Sequence, residues 1–267
     1  MKKTLWYISK IFNLICVCLS LLFYFLIKPK QMPSFFFAVF ALINEFYEES
    51  HGKLKNFEET NAFKDICNNS IYIKSNVFNT DSKVTRPLET QILSALVYYF
   101  SPQNIFEIGT YNGFTTYHFA INSPPNCKIY TLDLPANFNT DKTQGYSYDD
   151  LMVVKLSLEY TQNRIFQRYP EKDKIIELFG DSSQFDYSAY HGKMDLIFID
   201  GNHSYEFVKS DTENALKMLS DRGVIIWHDY DYIIHRDVFE YLNEFSKTHK
   251  VFSIPHTRFA IYGPQLK

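Results

Sequence analysis

The sequence predicts an α/β fold: a doubly wound, mostly parallel sheet of seven strands with an antiparallel hairpin at its carboxyl-terminal end. Short apolar runs alternate with helical patterns from Pro87 onward, as in sheets covered by helices on both faces. An acid follows several of these runs directly. The last two runs are separated by only three residues, 255–257, which is a hairpin length. An apolar segment near the amino terminus predicts a hydrophobic helix that precedes the sheet.

The alternation assigns the individual elements in chain order. Strands are predicted at residues 105–109, 128–132, 174–179, 194–199, 224–227, 251–254 and 258–262. Helical periodicity predicts helices at residues 88–100, 114–121, 150–168, 204–220 and 236–248. Parallel strands joined through helices end at one common edge, where such sheets bind their ligands.

The first 84 residues do not show this alternation. Residues 11–27 form an uncharged run of 17 residues, which is at the lower limit for a membrane span. Bulky residues follow the run, so a cleaved signal peptide is disfavoured. We therefore predict an anchor helix at residues 1–30, a helical and irregular lead-in at 31–84, and the sheet-containing domain at 85–267. A buried helix packed on the domain is the alternative for the apolar run.

Charge and cysteine content exclude several classes of function. The formal net charge is −3 and the chain has no block of Lys or Arg, so a nucleic-acid partner is not expected. The four cysteines form no C-x-x-C pair and are expected to be reduced, buried residues of a cytosolic chain. Lysines flank both ends of the apolar run, so the positive-inside rule does not fix its orientation. We therefore expect a single-pass membrane protein with its large domain in the cytoplasm.

Residues 104–116 carry the most specific pattern: they contain the first predicted strand, a turn bracketed by two glycines, and the start of a helix. Gly109 and Gly113 allow close approach of a ligand to the backbone, and the helix that follows offers free N–H groups. Dinucleotide sites have the spacing G-x-G-x-x-G, whereas this turn has Tyr111 where a diphosphate would need space. The spacing therefore disfavours an NAD-dependent oxidoreductase and favours a neutral or zwitterionic nucleoside. Glu107 is available for a cation or hydroxyl of that ligand.

Four acids follow four predicted strands in succession. They are Asp133, Asp181, Asp200 and Asp229. For any one of them, a helix cap or a turn is the alternative role. An acid in the place of Asp133 accepts hydrogen bonds from ribose hydroxyls in nucleoside-binding folds, and Asp181 could accept from an adenine amine. Together the four predict one ligand site at the carboxyl edge of the sheet.

Five motifs in this order resemble class I S-adenosylmethionine-dependent methyltransferases: EIGTYNG, YTLDLP, LFGDSS, DLIFIDGNHSYE and GVIIWHDY. The likeness is to the small-molecule O-methyltransferase branch that acts on sugars, macrolides and, more distantly, catechols, and it covers about residues 85–265. It implies a Rossmann-like methyltransferase fold with S-adenosylmethionine as cofactor. By this resemblance, Asp133 takes the ribose hydroxyls and Asp181 with Ser182 takes the adenine edge. The methionine part and the ribose would contact Glu107, Gly109, Thr110, Tyr111 and Gly113.

The resemblance also implies a divalent cation, Mg or Mn. Several members of the branch hold one with an acid after the fourth strand and an adjacent pair after the fifth, which here are Asp200, His228 and Asp229. Such an ion would lower the pKa of a bound substrate hydroxyl. A histidine in the pair moves the expectation from Mg toward Mn. For His228, a core histidine at a strand end is the alternative.

His203, together with Asp200, is the predicted catalytic residue. An imidazole titrates near neutrality, so His203 could act as general base; a loop histidine at a helix start is the alternative. The expected reaction is methyl transfer to a hydroxyl of a sugar, glycolipid or other small molecule, with metal assistance. The membrane is the second expected partner, through the anchor helix. A membrane-tethered, non-catalytic binding protein of the same fold is the rival interpretation.

Overall fold

A computed structural model describes residues 54–77, 81, 83–139 and 148–266 of the chain. The predicted anchor helix at residues 1–30 lies outside these ranges, as does the first part of the predicted lead-in. Within the described ranges, no helix combines the length and the apolar character needed to cross a membrane.

The described strands form one sheet of eight, in the order β1-β7-β8-β6-β5-β2-β3-β4. All neighbouring pairs are parallel except the two that involve β8. The prediction of seven strands was one short, because β1 has only two residues and lies in the lead-in segment. The strands are β1 (Lys55–Asn56), β2 (Asn104–Ile108), β3 (Lys128–Asp133), β4 (Ile175–Phe179), β5 (Met194–Ile199), β6 (Leu219–Trp227), β7 (Phe252–Ile254) and β8 (Phe259–Tyr262).

Six helices accompany the strands in the described part of the chain. They are α1 (Asn61–Asn68), α2 (Pro87–Phe100), α3 (Phe114–Asn122), α4 (Tyr148–Tyr160), α5 (Tyr205–Met218) and α6 (Arg236–Phe245). The predicted helix at 150–168 was too long, since α4 ends at Tyr160 and a separate 3-10 turn follows at Ile165–Arg168.

Buried apolar side chains cover both faces of the sheet, as the doubly wound prediction requires. Successive residues of β5 alternate between the faces: Ile197 packs with α5 and α6, whereas Phe198 packs with α2 and α3. Both side chains are fully buried. Phe57, just after β1, is also fully buried in the α2–α3 layer, so the lead-in contributes to the same core.

Free cysteines are found at Cys67 and Cys127 in the described residues. Cys127 is buried as expected. The expectation of burial was wrong for Cys67, because α1 presents no fully buried residue to the core.

Backbone hydrogen bonds align the residues that directly follow the central strands. Gly109 N–H donates to Leu132, Asp200 N–H to Ile108, and His228 N–H to Ile199, at 2.9, 2.8 and 3.0 Å. The carboxyl ends of β2, β3, β5 and β6 therefore form a common edge, as expected for parallel strands.

The loop of the β7–β8 hairpin also lies at this edge. Because β8 runs antiparallel to β6, with Trp227 opposite Ala260, the start of β8 lies beside the end of β6. Arg258, just before β8, accepts a hydrogen bond from Tyr230 N–H through its carbonyl oxygen at 2.9 Å. The hairpin loop thus reaches the edge where the predicted site residues lie.

Candidate functional site

The two turn glycines are required by contacts within the protein. Gly109 has φ = 97°, and a Cβ there would lie 2.0 Å from the carbonyl oxygen of Asp200. Gly113 has φ = 77°, and a Cβ there would lie 2.6 Å from Cδ1 of Phe166. Left-handed backbone with so little space admits only glycine. The turn that carries the first motif therefore packs directly against the chain that leaves β5.

Glu107 is fully buried beneath this turn. Its Oε2 accepts hydrogen bonds from Thr116 and Thr131 at 2.5 and 2.6 Å, and the Thr131 hydroxyl also lies 2.6 Å from that of Thr110. Its Oε1 has no hydrogen-bond partner within the described ranges. Burial raises the pKa of Glu107 to about 8, helped by the nearby charge of Asp200 and opposed by the two threonine hydrogen bonds. The side chain is therefore largely protonated at neutral pH.

Asp133, the predicted ribose ligand, is engaged by other parts of the protein. Its Oδ2 accepts hydrogen bonds from Tyr111 N–H at 3.0 Å and from the Ser157 hydroxyl of α4 at 2.6 Å. Nη2 of the buried Arg164 lies 3.1 Å from the same oxygen, and Nε of that arginine lies 3.2 Å from Glu177. A ribose hydroxyl would have to share or replace these contacts.

Asp181 and Ser182 lie in the turn after β4 and are half-buried. The Asp181 carboxylate accepts from the N–H and the hydroxyl of Ser183, at 2.9 and 2.7 Å. The Ser182 carbonyl accepts from the Tyr187 hydroxyl at 3.0 Å. These contacts belong to a local turn, and no direct hydrogen bond in the described residues joins Asp181 to Glu107, Asp133 or Asp200.

The remaining predicted residues meet in one charged group at the ends of β5 and β6. We call it the imidazole–carboxylate cluster. Its members share hydrogen bonds or ion pairs with one another, and they come from five separate stretches of the chain. They are Glu89, Asp150, Asp200, His203, His228, Asp229, Asp231, His235 and Arg258.

His228 occupies the buried half of this cluster. Its Nδ1 lies 3.0 Å from Asp200 and 3.2 Å from Asp229, and its Nε2 lies 3.3 Å from Glu89. Burial alone would lower the pKa of His228, but Asp229 and Asp200 hold it well above the ordinary value. Arg258 bridges Glu89 and Asp229, at 3.2 and 2.5 Å. The imidazolium and the guanidinium thus compensate the charge of the buried carboxylates.

His203 occupies the more exposed half. Its Nδ1 lies 2.6 Å from Asp150, and its Nε2 lies 2.9 Å from Asp229. Burial opposes the charge, but hydrogen bonds to these two carboxylates raise the pKa of His203 to about 10. His235 completes this half, with Nδ1 at 3.2 Å from Asp229 and 3.0 Å from Asp231. Both ring nitrogens of His203 therefore carry protons at neutral pH.

A small cavity of about 10 Å³ lies beside the cluster. Asp200, His203 and His228 are among the residues that line it. This is about the space that one water molecule or ion needs.

Two groups of three side chains in this region suit a metal ion. In each group the possible ligand atoms lie within 4.8 Å of one another. One is the predicted set Asp200, His228 and Asp229, and the other is His203, Asp229 and His235. A carboxylate with imidazole nitrogens is an appropriate donor set for Mn²⁺ and later transition metals.

Several members of the cluster were missed by the sequence analysis. Glu89 was assigned only to a helix, Arg258 only to a strand, and Asp150 to the start of a helix. His235 lies four residues after Asp231, directly before α6, and it contacts that aspartate. The sequence analysis assigned His235 no role because it belongs to none of the five motifs. Arg164, which holds Asp133, gave no signal because its partners lie on two other strands.

Comparisons with known proteins agree with the motifs. Residues 106–230 match the family model described as Methyltransferase domain. A curated relative, the uncharacterized protein y4gI of Sinorhizobium fredii, is 28% identical over 170 residues, which are 60% of this chain and 17% of that protein. The chain thus spans about a sixth of the length of this relative.

Two solved structures show the same fold. The SAH-bound methyltransferase PaMTH1 of Podospora anserina has a TM-score of 0.51 and 16% identity, with 85% of this chain and 95% of that chain covered. A provisionally named caffeoyl-CoA O-methyltransferase of Staphylococcus aureus has a TM-score of 0.50 and 15% identity, with 85% and 98% covered. The match of residues 106–230 to a methyltransferase domain agrees with the prediction from the five motifs, and the two solved structures share the fold.

Proposed function

We propose that this protein transfers the methyl group of S-adenosylmethionine to a hydroxyl of a small-molecule acceptor. The observation that carries the proposal is the contact between Gly109 and Asp200. It puts the turn expected to hold the methyl donor directly beside the imidazole–carboxylate cluster. Groups that can bind and deprotonate a hydroxyl are thus adjacent to the expected position of the sulfonium.

The cofactor would lie along the carboxyl edge of the sheet. Its methionine part would face Glu107 and the turn formed by Gly109, Thr110, Tyr111 and Gly113. Its ribose hydroxyls would take over the Ser157 hydrogen bond on Asp133, since both are O–H donors to the same carboxylate oxygen. The adenine edge would meet the turn that contains Asp181 and Ser182.

The acceptor would lie on the side of the cluster, where His203 is the proposed general base and Asp200 lies close by. Asp150 would hold the imidazole through Nδ1, so that Nε2 is the atom that exchanges a proton. A cation held by Asp200, His228 and Asp229 would supply Lewis acidity to the acceptor hydroxyl. The remaining catalysis would come from holding that oxygen in line with the methyl group.

The proposal is tested with the purified full chain and S-adenosylmethionine carrying a labelled methyl group. Hydroxylated acceptors are supplied as sugars, glycolipids and an extract of cell-envelope glycans. We expect a labelled product with the mass of one added methyl group. His203→Gln should reduce the rate at pH 7.5, whereas His191→Ala, at an exposed histidine away from the cluster, should not.

A protein that binds S-adenosylhomocysteine but methylates none of these acceptors would contradict the catalytic proposal and support the rival binding protein. The predicted anchor at residues 1–30 favours a membrane-associated acceptor within this reaction. Labelled product should then appear in the glycolipid fraction in preference to the soluble sugars.

A further inference from the structure

The exposed half of the cluster contains a second possible metal site, which shares Asp229 with the predicted one. Nε2 of His203 lies 2.9 Å from Oδ2 of Asp229, and Nδ1 of His235 lies 3.2 Å from Oδ1. The two imidazole rings lie with centroids 4.3 Å apart. The possible ligand atoms of His203, Asp229 and His235 all lie within 4.8 Å of one another.

Each histidine has a further carboxylate beside it. Asp150 contacts the ring nitrogen of His203 opposite the proposed ligand atom, whereas Asp231 Oδ2 lies 3.0 Å from the same Nδ1 of His235 that faces Asp229. Asp150 lies 2.6 Å from Nδ1 of His203, which leaves Nε2 as the nitrogen directed at Asp229. Metal-binding histidines almost always have such a carboxylate or carbonyl on the other ring nitrogen. Asp231 Oδ1 accepts the backbone N–H groups of Ile234 and His235, at 2.6 and 3.1 Å, and so fixes the loop that carries His235.

The charge of the cluster favours a cation. Its five carboxylates against one guanidinium leave a formal charge of −4 when the three imidazoles are neutral. A divalent cation bound by neutral imidazoles would offset part of this charge.

Both oxygens of Asp229 have contacts within the cluster. Arg258 and His235 lie at Oδ1, whereas His203 and His228 lie at Oδ2, so an ion beside His203 would share Oδ2 with His228. The cavity of about 10 Å³ that His203 lines together with Asp200 and His228 has room for one water molecule. A set of two nitrogens and one carboxylate oxygen suits Mn²⁺, Fe²⁺, Co²⁺ or Zn²⁺ better than Mg²⁺, which prefers oxygen ligands.

We propose that His203, Asp229 and His235 bind a divalent transition-metal ion, with Asp150 and Asp231 holding the two histidines in position. This site differs from the set Asp200, His228 and Asp229 that the sequence predicts. Occupation of the site would use the Nε2 lone pair of His203, so His203 would be available as the proposed general base only in metal-free protein. The site itself can be measured without cofactor or activity, so its test is independent of the proposed reaction.

The test is titration of the full chain with Co²⁺, without a polyhistidine tag and after removal of metals with a chelator. Visible absorption of bound Co²⁺ reports the nitrogen ligands directly. We expect the wild-type protein to bind Co²⁺, and Zn²⁺ to displace it. His235→Ala should weaken Co²⁺ binding by at least about ten-fold. Asp150→Asn should weaken it by about 10- to 100-fold, as is usual when a carboxylate that hydrogen-bonds to a metal-binding histidine is removed.

Two control variants make the outcome decisive. His191→Ala changes an exposed histidine outside the cluster and should bind as the wild type does. Asp200→Asn should also retain Co²⁺, since Asp200 is not a ligand of the proposed site. Retention of full affinity by His235→Ala, or loss in Asp200→Asn while His235→Ala still binds, would overturn the proposal.

Folding of each variant is checked by circular dichroism before titration. If His235→Ala does not fold, His235→Asn replaces it, because the amide is a poor ligand of similar size. Zn²⁺ should also raise the melting temperature of the wild type and of His191→Ala but not that of the His235 variant. An equal rise in all three would contradict the proposed site.

Discussion

Asp133 shows how a residue predicted to bind a ligand can be satisfied by the protein itself. Tyr111 N–H, the Ser157 hydroxyl and the Arg164 guanidinium all meet its Oδ2. The sequence placed an acid at the end of the second predicted strand, and the structure has it there as the last residue of β3. The partners could not be predicted, because Ser157 and Arg164 lie more than twenty residues away and their approach depends on how α4 packs.

A pair of substitutions separates the role of this carboxylate from that of its partner. Asp133→Ala removes the proposed ribose acceptor and should weaken S-adenosylhomocysteine binding at least about ten-fold, as expected for the loss of charge-assisted hydrogen bonds. Ser157→Ala removes only the competing donor, so its affinity should equal or exceed that of the wild type. Isothermal titration calorimetry measures both. Undiminished binding by Asp133→Ala would refute the assignment of the ribose site.

At the scale of the element, the buried strands were the most predictable part of the chain. The prediction for β5, residues 194–199, agrees with the observed strand at both ends because five of its six residues are fully buried and apolar or sulfur-containing. β6 was predicted from residue 224 but begins at Leu219, since polar residues at 220–222 interrupt its apolar pattern. Pattern alone detects the buried part of a strand and misses an exposed extension.

Helix α4 was predicted eight residues too long for a related reason. Residues 161–168 contain only two apolar side chains, the adjacent Ile165 and Phe166, and Arg164 turns inward to Asp133 and Glu177. A fully buried arginine between two strands is a tertiary arrangement that local periodicity does not reveal. The chain therefore leaves the helix at Tyr160 and returns as a 3-10 turn at Ile165–Arg168.

This arginine should be essential to the stability of the segment. Arg164→Met removes the cation and leaves the carboxylates of Asp133 and Glu177 without their buried partner. Loss of one partner from a buried ion pair costs about 3–5 kcal/mol of unfolding free energy. Urea denaturation should show this decrease, and the double variant Arg164→Met/Glu177→Gln should recover part of it. A decrease below about 1 kcal/mol in the single variant would contradict the view that the pair is a structural requirement.

Across the whole molecule, the cluster depends on distant segments meeting at one edge. Asp200, His203, His228 and Asp229 were predicted as one site because parallel strands end together, and the structure does bring them together. Their charge environment was not predictable, since Glu89 comes from α2, Asp150 from α4 and Arg258 from the hairpin. The order of the strands predicts the fold class and the edge at which the candidate site lies. The protonation states of the cluster depend on which side chains pack around them, and the sequence does not show this.

That packing predicts an unusual pH dependence for methyl transfer. Asp150 and Asp229 raise the pKa of His203 to about 10, so the deprotonated imidazole needed by a general base is scarce at pH 7. In metal-free protein the rate should rise about ten-fold per pH unit between pH 7 and 9. Added Mn²⁺ or Zn²⁺ should shift the profile to lower pH if the ion replaces the proton. A rate that is constant from pH 7 to 9.5 without metal would exclude His203 as the base.

The antiparallel direction of β8 has a consequence for how the protein folds. Arg258 reaches Glu89 and Asp229 only after the hairpin has formed, so the central parallel strands can assemble before these two carboxylates meet their guanidinium. β8 also joins β7 and β1 to β6. A variant that lacks the hairpin should therefore lose β1 and β7 from the sheet and leave an open, hydrated and inactive edge.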